Sequence, residues 1–391
     1  MRVASARTVL SVVGARPNFM KLAPVARALG RRLVRHVIVH TGQHYDRGMS
    51  DAFLDDLDIP PPDFHLTVGS GTHAAQTAAV MQRFEPVCLE VRPDIVLVYG
   101  DVNSTLAAAL VAAKLGLPVG HVEAGLRSHD RSMPEEINRV LTDRISDLLF
   151  TPSRDARANL EAEGIPSERV HFVGNVMIDC LVAVLGRRGT GNGGRVAGPP
   201  PSSPYYVVTL HRPANVDDPA VLRELLDALA ELARERQIVF AVHPRTRARI
   251  ETLGWRPGAG VVLRDPLSYE AMLDLVLGSE LVITDSGGLQ EETSFLGIPC
   301  LTLRPNTERP VTCTLGTNRL VAPRRAALLA AARAAGPGGA RRPPVIERWD
   351  GLAAERIAAV LCDGASFAED APRDDGVVAI SARYRPRSAL G

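Results

Sequence analysis

Residues 94–125 read DIVLVYGDVNSTLAAALVAAKLGLPVGHVEAG. The stretch opens on an apolar run with many β-branched residues (94–101). An Ala/Leu-rich segment follows at 103–116, closed by Gly116, and a second apolar run spans 117–125. Strand, helix and strand in that order predict a βαβ unit, in which the helix carries the chain back so that the two strands run parallel. The alternation continues on both sides. TVLSVVG (8–14), HVIVHTG (36–42) and DLLFTPS (147–153) read as strands, and 20–33, 74–91 and 134–146 as helices. The stretch GRRGTGNGGRVAGPPPSSP (186–204) interrupts the pattern and reads as a flexible loop, since Gly, Pro and Ser cannot build a packed element there. Beyond it, strands are expected at 205–211, 237–244, 260–266, 281–287 and 298–304, with helices at 219–236, 268–279 and 289–296. The fold class is therefore α/β, with two Rossmann-type, doubly wound parallel-sheet domains. The expected domains are 1–175 and 176–348. A helix at 349–363 is expected to pack back on the first domain, and 364–391 is expected to be a flexible tail. Open sheets of this kind bind ligands at the carboxyl ends of their strands, which predicts a cleft between the two domains.

A chain of 391 residues with 46% hydrophobic and 23% charged residues is long enough for two cores and ordinary for a globular protein. Its 45 basic and 44 acidic residues leave a net charge of +1. That balance argues against a nucleic-acid surface but allows a local anion pocket. The five cysteines (88, 180, 300, 313 and 362) are scattered, with no C-x-x-C pair, which suggests reduced thiols and a cytoplasmic location. No apolar run approaches the ~20 residues that span a bilayer, so no membrane partner is expected. The basic, then apolar, N-terminus reads as a first strand rather than a signal peptide.

Several strand ends carry chemistry. GARPNFMKLAP (14–24) places Arg16 and Lys21 at a strand-to-helix turn, where a helix dipole and free amides favour an anion. A plain βα loop with basic residues explains it equally well. In DSGGLQEETSFLG (285–297), Ser286, Gly287 and Gly288 suit close approach to a phosphate, and Glu291 or Glu292 in the expected first turn could accept ribose hydroxyls. Simple complementarity to the helix dipole is the competing reading for the acids, but it leaves the paired glycines unexplained. VTLHRPANVD (208–217) puts His211 at a strand end. His243 in AVHPRT and His44 in TGQHYD are similar cases, each either acid/base or structural. Asp101 in VYGDVNST is either a helix cap or a functional carboxylate. In GHVEAGLRSHDRSMPEEINR (120–139), Glu123, Glu135 and Glu136 are interleaved with Arg127 and Arg131. Metal binding is disfavoured because no second His follows at ligand spacing and the arginines would repel a dication. Carboxylates tuned by arginines for proton transfer fit better.

These segments, together with GNVMIDCL, HPRT and NTERPV, occur in the order found in the non-hydrolysing UDP-N-acetylglucosamine 2-epimerases, which the chain resembles over roughly residues 8–361. The resemblance implies a GT-B-like fold with the active site between the domains, no metal and no other cofactor, a UDP-sugar substrate and a homodimer. It implies an isomerase that expels UDP by anti elimination, holds 2-acetamidoglucal, and adds UDP back while a proton arrives at C2 on the opposite face. Asp101, Glu123, Glu135 and His211 would then be catalytic. Arg16, Lys21, Ser286, Gly287, Gly288 and Arg309 would hold the diphosphate, and Glu292 the ribose. The family's allosteric UDP-GlcNAc site would draw on Gln43 and His44, but Tyr45, Asp46 and GSGTH (69–73) depart from the usual bacterial pattern. GSGTH resembles the branch acting on a 2,3-diacetamido-2,3-dideoxy-glucuronic acid nucleotide. A hydrolysing 2-epimerase, a GT-B glycosyltransferase and a non-catalytic nucleotide-sugar binder are the other readings.

Overall fold

The computed structural model describes residues 8–43, 57–189, 204–335 and 343–364, excluding the side chains of 188 and 189. His44, residues 190–203 of the expected loop and residues 365–391 of the expected tail lie outside the described residues. The described residues form two compact units, one of 8–184 with 347–364 and one of 185–346.

The first unit contains β1 (Thr8–Val13), β2 (Arg35–His40), β3 (Phe64–His65), β4 (Ile95–Tyr99), β5 (Val119–Val122), β6 (Leu148–Thr151) and β7 (Val170–Phe172). They form one sheet in the order β3-β2-β1-β4-β5-β6-β7, with every pair parallel. Leu10, Val12, Val37, Val39, Val96 and Val98 bury one face against Phe84 and the alanines of the helix Asn103–Lys114. Small side chains let that helix lie close to the sheet, which explains why an Ala-rich segment sits behind the central strands. The second unit contains β8 (Tyr205–Thr209), β9 (Gln237–Ala241), β10 (Val261–Arg264), β11 (Leu281–Thr284), β12 (Cys300–Thr302) and β13 (Asn318–Leu320), in the order β10-β9-β8-β11-β12-β13 and again parallel. In each sheet the winding direction reverses once, between β1 and β4 and between β8 and β11. Each reversal leaves a crevice at the carboxyl ends, because the two connecting helices leave toward opposite faces.

Several elements differ from the sequence expectations. The first helix spans Arg16–Gly30 rather than 20–33. Asn18 Oδ1 accepts the N–H groups of Gly14 (3.2 Å) and Ala15 (3.0 Å), and Pro17 favours helical φ, so the turn closes four residues early. The helices Arg154–Ala162, Pro244–Thr252 and Arg325–Ala335, and the short strands β3, β7 and β13, are not evident in the sequence pattern. The strands are too short to show a period. The helix Val176–Gly189 carries the chain from one unit to the other. The helix Ala353–Asp363 packs on the first helix, and just beyond that helix Arg32 Nη1 meets Glu355 Oε2 at 3.0 Å. Its start is capped by Asp179, which accepts the N–H groups of Ala353 (3.2 Å) and Ala354 (2.7 Å). Among the described residues no helix is long and apolar enough to cross a membrane.

Candidate active site

In the first unit, chemistry gathers where β1, β4 and β5 end. Asn18 Nδ2 donates to Tyr99 O (2.7 Å), so the side chain that closes the first helix also ties it to the end of β4. Beside it lies Gly100, with φ +64. A Cβ there would sit 2.6 Å from Lys21 Nζ, so the ammonium lies directly against this glycine, whose positive φ an L side chain rarely adopts. Lys21 Nζ pairs with Glu123 Oε2, and both side chains are buried. Glu123 follows β5 with φ +74, an unusual backbone for a non-glycine residue. Its N–H and that of Ala124 both donate to Phe150 O (3.1 and 3.0 Å), so the strand bulges there. This breaks the alternation that would put Glu123 on one face with His121.

His121 is fully buried below this turn. Its Nε2 lies 2.7 Å from Gly100 O and its Nδ1 2.6 Å from Asp143 Oδ1. Arg127 reaches Asp143 Oδ2 (2.7 Å) and holds Glu163 through two bonds (2.7 and 2.8 Å). Burial opposes the charge of Asp143, but His121 and Arg127 outweigh it and hold the carboxyl below its usual range. Asp101, partly exposed, accepts from Arg139 Nη2 (2.8 Å), and Arg139 also pairs with the buried Glu136. Glu136 in turn accepts from Ser128 N and Oγ (3.0 and 2.9 Å) and His129 N (2.8 Å), which folds the loop after β5. Glu135 and Arg16 are exposed. Gln43 Oε1 accepts from Ser104 N (3.1 Å) and Oγ (2.7 Å), at the start of the helix Asn103–Lys114.

In the second unit the crevice between β8 and β11 is organised by Asp285, which has no solvent exposure. Its carboxylate accepts from His211 N (3.1 and 3.0 Å), Arg212 N (2.9 Å) and Asn215 Nδ2 (3.0 Å), and His211 Nδ1 lies 2.8 Å from Oδ1. Burial works against its charge, but His211, Arg212 and Asn215 hold the carboxyl below its usual range. The His243 ring lies 5.9 Å from the His211 ring, and its Nδ1 accepts from Arg245 N (3.2 Å). Ser286 stands as N-cap of the helix Gly287–Leu296, whose first amides have no partner within the helix and are part-exposed with it. A Cβ on Gly287 would come 2.6 Å from Arg309 Nη1, so the guanidinium lies directly against this glycine. Arg309 Nε lies 2.8 Å from Glu291 Oε1, and Arg309 also pairs with Glu308. Burial opposes the charge of Glu308, but Arg309, Arg304 and Arg212 hold it well below the usual carboxylate range.

Glu291 and Glu292 were expected in the first helical turn. The helix begins at Gly287, so both fall in its second turn and the dipole explanation does not hold for them. Glu292 is buried and accepts from Tyr269 OH (3.0 Å). Burial raises its carboxyl to about 7; Tyr269 opposes this and Glu291 adds to it. The folded chain therefore holds this proton more tightly than the unfolded chain. The associated stability is present at pH 4 and is lost as pH rises from about 4.5 to about 7, a change on the order of 3 kcal/mol. Glu292→Gln should thus be more stable than the parent at pH 8 and nearly equal to it at pH 4.5, as read by urea unfolding at the two pH values. An equal gap at both would refute the assignment.

The structure brings Lys21, Glu123 and Gly100 together, and separately His211, Ser286, Gly287, Gly288 and Arg309. The organising residues Asn18, Arg139, Asp143, Asp285 and Glu308 carry no site signal in the sequence pattern. Glu136 and Arg139 stand three apart on one helix, a spacing that could have signalled the ion pair. Asp285 gave no such signal, since its partners lie some seventy residues away. Among the described residues, no group of three His, Cys, Asp or Glu side chains could hold a metal ion.

A family model described as UDP-N-acetylglucosamine 2-epimerase matches residues 27–362. The chain belongs to the UDP-N-acetylglucosamine 2-epimerase family. It is similar to the UDP-N-acetylglucosamine 2-epimerase of Methanocaldococcus jannaschii, with 41% identity over 82% of this chain and 90% of that one. The UDP-2,3-diacetamido-2,3-dideoxy-D-glucuronate 2-epimerase of Pseudomonas aeruginosa is 43% identical over 83% of this chain and 91% of its own length. Among solved structures, the M. jannaschii UDP-GlcNAc 2-epimerase in complex with UDP-GlcNAc and UDP superposes with a TM-score of 0.82 at 38% identity, covering 90% of this chain and 99% of that one. The Neisseria meningitidis enzyme bound to UDP-GlcNAc gives 0.81 at 30% identity, covering 91% and 100%. As a member of the 2-epimerase family, the chain is an isomerase on a GT-B-like pair of Rossmann-type units.

Proposed function

We propose that this isomerase interconverts UDP-N-acetylglucosamine and UDP-N-acetylmannosamine. A carboxylate takes the C2 proton, the C1–O bond to UDP breaks with its electron pair, and 2-acetamidoglucal remains bound. UDP then attacks C1 while a second acid delivers a proton to the other face of C2. Asp101, Glu123 and Glu135 are the carboxylates for these proton transfers. His211 contacts the diphosphate and assists its departure, and Arg16, Ser286, Arg309 and the amides of Gly287 and Gly288 hold it. Stabilising the leaving diphosphate is a large share of the barrier reduction. Glu292 takes the ribose. The observation that carries this reading is the pair of cation-matched carboxylates, Glu123 with Lys21 and Asp101 with Arg139, at the ends of neighbouring strands β5 and β4 in a chain of this family.

Incubation with UDP-GlcNAc in deuterium oxide should place deuterium at C2 and accumulate UDP-ManNAc, as read by NMR. Absence of exchange with every UDP-2-acetamido sugar tried would refute the proposal. Sugar transfer that needs an acceptor would favour a glycosyltransferase instead. A second reading, a 2,3-diacetamido-glucuronate nucleotide as substrate, is supported by the 43% identity to the P. aeruginosa enzyme, and the same exchange assay with that nucleotide decides it. We also propose a cytoplasmic homodimer. The neighbouring, exposed Ile137, Val140 and Leu141 on the helix Pro134–Ile145 support a second copy as partner.

A further inference from the structure

We propose that Lys21 is a positioning residue for Glu123 and not a ligand of the diphosphate. The inference rests on the epimerase reading above for the role of Glu123. Four observations carry it. Lys21 and Glu123 form an ion pair with both side chains buried. The pair lies against Gly100, where a Cβ would approach Lys21 Nζ to 2.6 Å and Glu123 Oε2 to 3.4 Å. Asn18, one turn before Lys21, is locked to Tyr99 O, so the helix face that carries the lysine is held against the end of β4. Glu123 adopts φ +74, and a non-glycine residue held in that region persists only where its surroundings over-determine it.

Three neighbouring acids have cations of their own. Asp101, beyond β4, and Glu136 both pair with Arg139, and Asp143 pairs with His121 and Arg127. Lys21 is a counter-charge in direct contact with Glu123. A buried carboxylate deprived of that cation loses both its counter-charge and the contact that aims it. A cation needed to grip a diphosphate would instead stand toward solvent, as Arg16 does at the start of the same helix.

The test uses Lys21→Met and the double variant Lys21→Met/Glu123→Gln, with UDP affinity by calorimetry and C2 deuterium exchange across pH. In Lys21→Met, exchange at pH 7 should fall about tenfold or more through kcat, with the acid limb of the pH profile moved up. UDP affinity should stay within about twofold of the parent in both variants. The double variant keeps the binding test available if Lys21→Met folds poorly, because it leaves no lone buried charge. A UDP dissociation constant raised about tenfold in both variants, with the acid limb unmoved, would overturn the proposal and make Lys21 a diphosphate ligand. If the parent enzyme exchanges no deuterium, the epimerase reading fails. Lys21 and Glu123 should still show non-additive stability in a double-variant cycle, and additive effects there would overturn the pairing itself.

Discussion

Glu123→Gln should abolish nearly all C2 exchange while leaving UDP binding intact. Loss of a positioned acid or base typically costs about 10²–10⁴-fold in kcat. Glutamine keeps the shape of the side chain but can neither accept nor deliver the proton. The substitution also leaves Lys21 buried without its counter-charge. Removing one partner of a buried pair costs about 3–5 kcal/mol, so the thermal midpoint should drop as well. Adding Lys21→Met should recover most of that stability, because a neutral pair needs no compensation, yet it should recover no activity. Exchange retained within about tenfold of the parent in Glu123→Gln would remove this residue from proton transfer. Recovery of activity in the double variant would do the same.

Asp285→Asn should be comparably damaging, by a different route. Four donors from three residues converge on this one carboxylate: His211 N, His211 Nδ1, Arg212 N and Asn215 Nδ2. An asparagine offers one acceptor oxygen and turns an N–H₂ toward the remaining donors. Leaving buried donors unsatisfied costs about 1–3 kcal/mol each, more where a charge is involved. The chemical effect follows from the orientation of His211. With Nδ1 directed at Asp285, Nε2 is the nitrogen left for the diphosphate. An amide opposite Nδ1 permits the wrong tautomer, and comparable losses of orientation lower kcat by on the order of 10²–10⁴-fold. The expected signature is a collapse of kcat with KM changed far less, together with a shift of the His211 ring nitrogens in ¹⁵N NMR. An unaltered kcat in a folded Asp285→Asn enzyme would show that His211 needs no such partner.

The legibility of the fold varied with local pattern. Segments 94–101, 103–116 and 117–125 were readable because each contains enough consecutive residues for its period to show. β13, with three residues, and β3, with two, contain too few. The helix Pro244–Thr252 buries only Thr246 and Ile250 and is otherwise largely charged or polar, so it offers little apolar stripe. The start of the first helix was missed because its closing bonds come from the Asn18 side chain, which a hydrophobic pattern does not register. Glu291 and Glu292 fall one turn later than the pattern predicts for a related reason: the two glycines, which carry no apolar signal, open the helix.

By itself, the sequence determined the α/β class, the parallel sheets and the family, together with the strand ends where Asp101, Glu123, His211 and Ser286 lie. Those properties are encoded locally, in side-chain periodicity and in motifs a dozen or so residues long. The tertiary structure alone decided how these groups are matched. Lys21 meets Glu123 beneath a glycine, Arg139 bridges Asp101 and Glu136, and Asp285 gathers the chain around His211. The physical reason is that the charge state and aim of a side chain depend on neighbours brought near by sheet order and helix packing, often some seventy or more residues away along the chain.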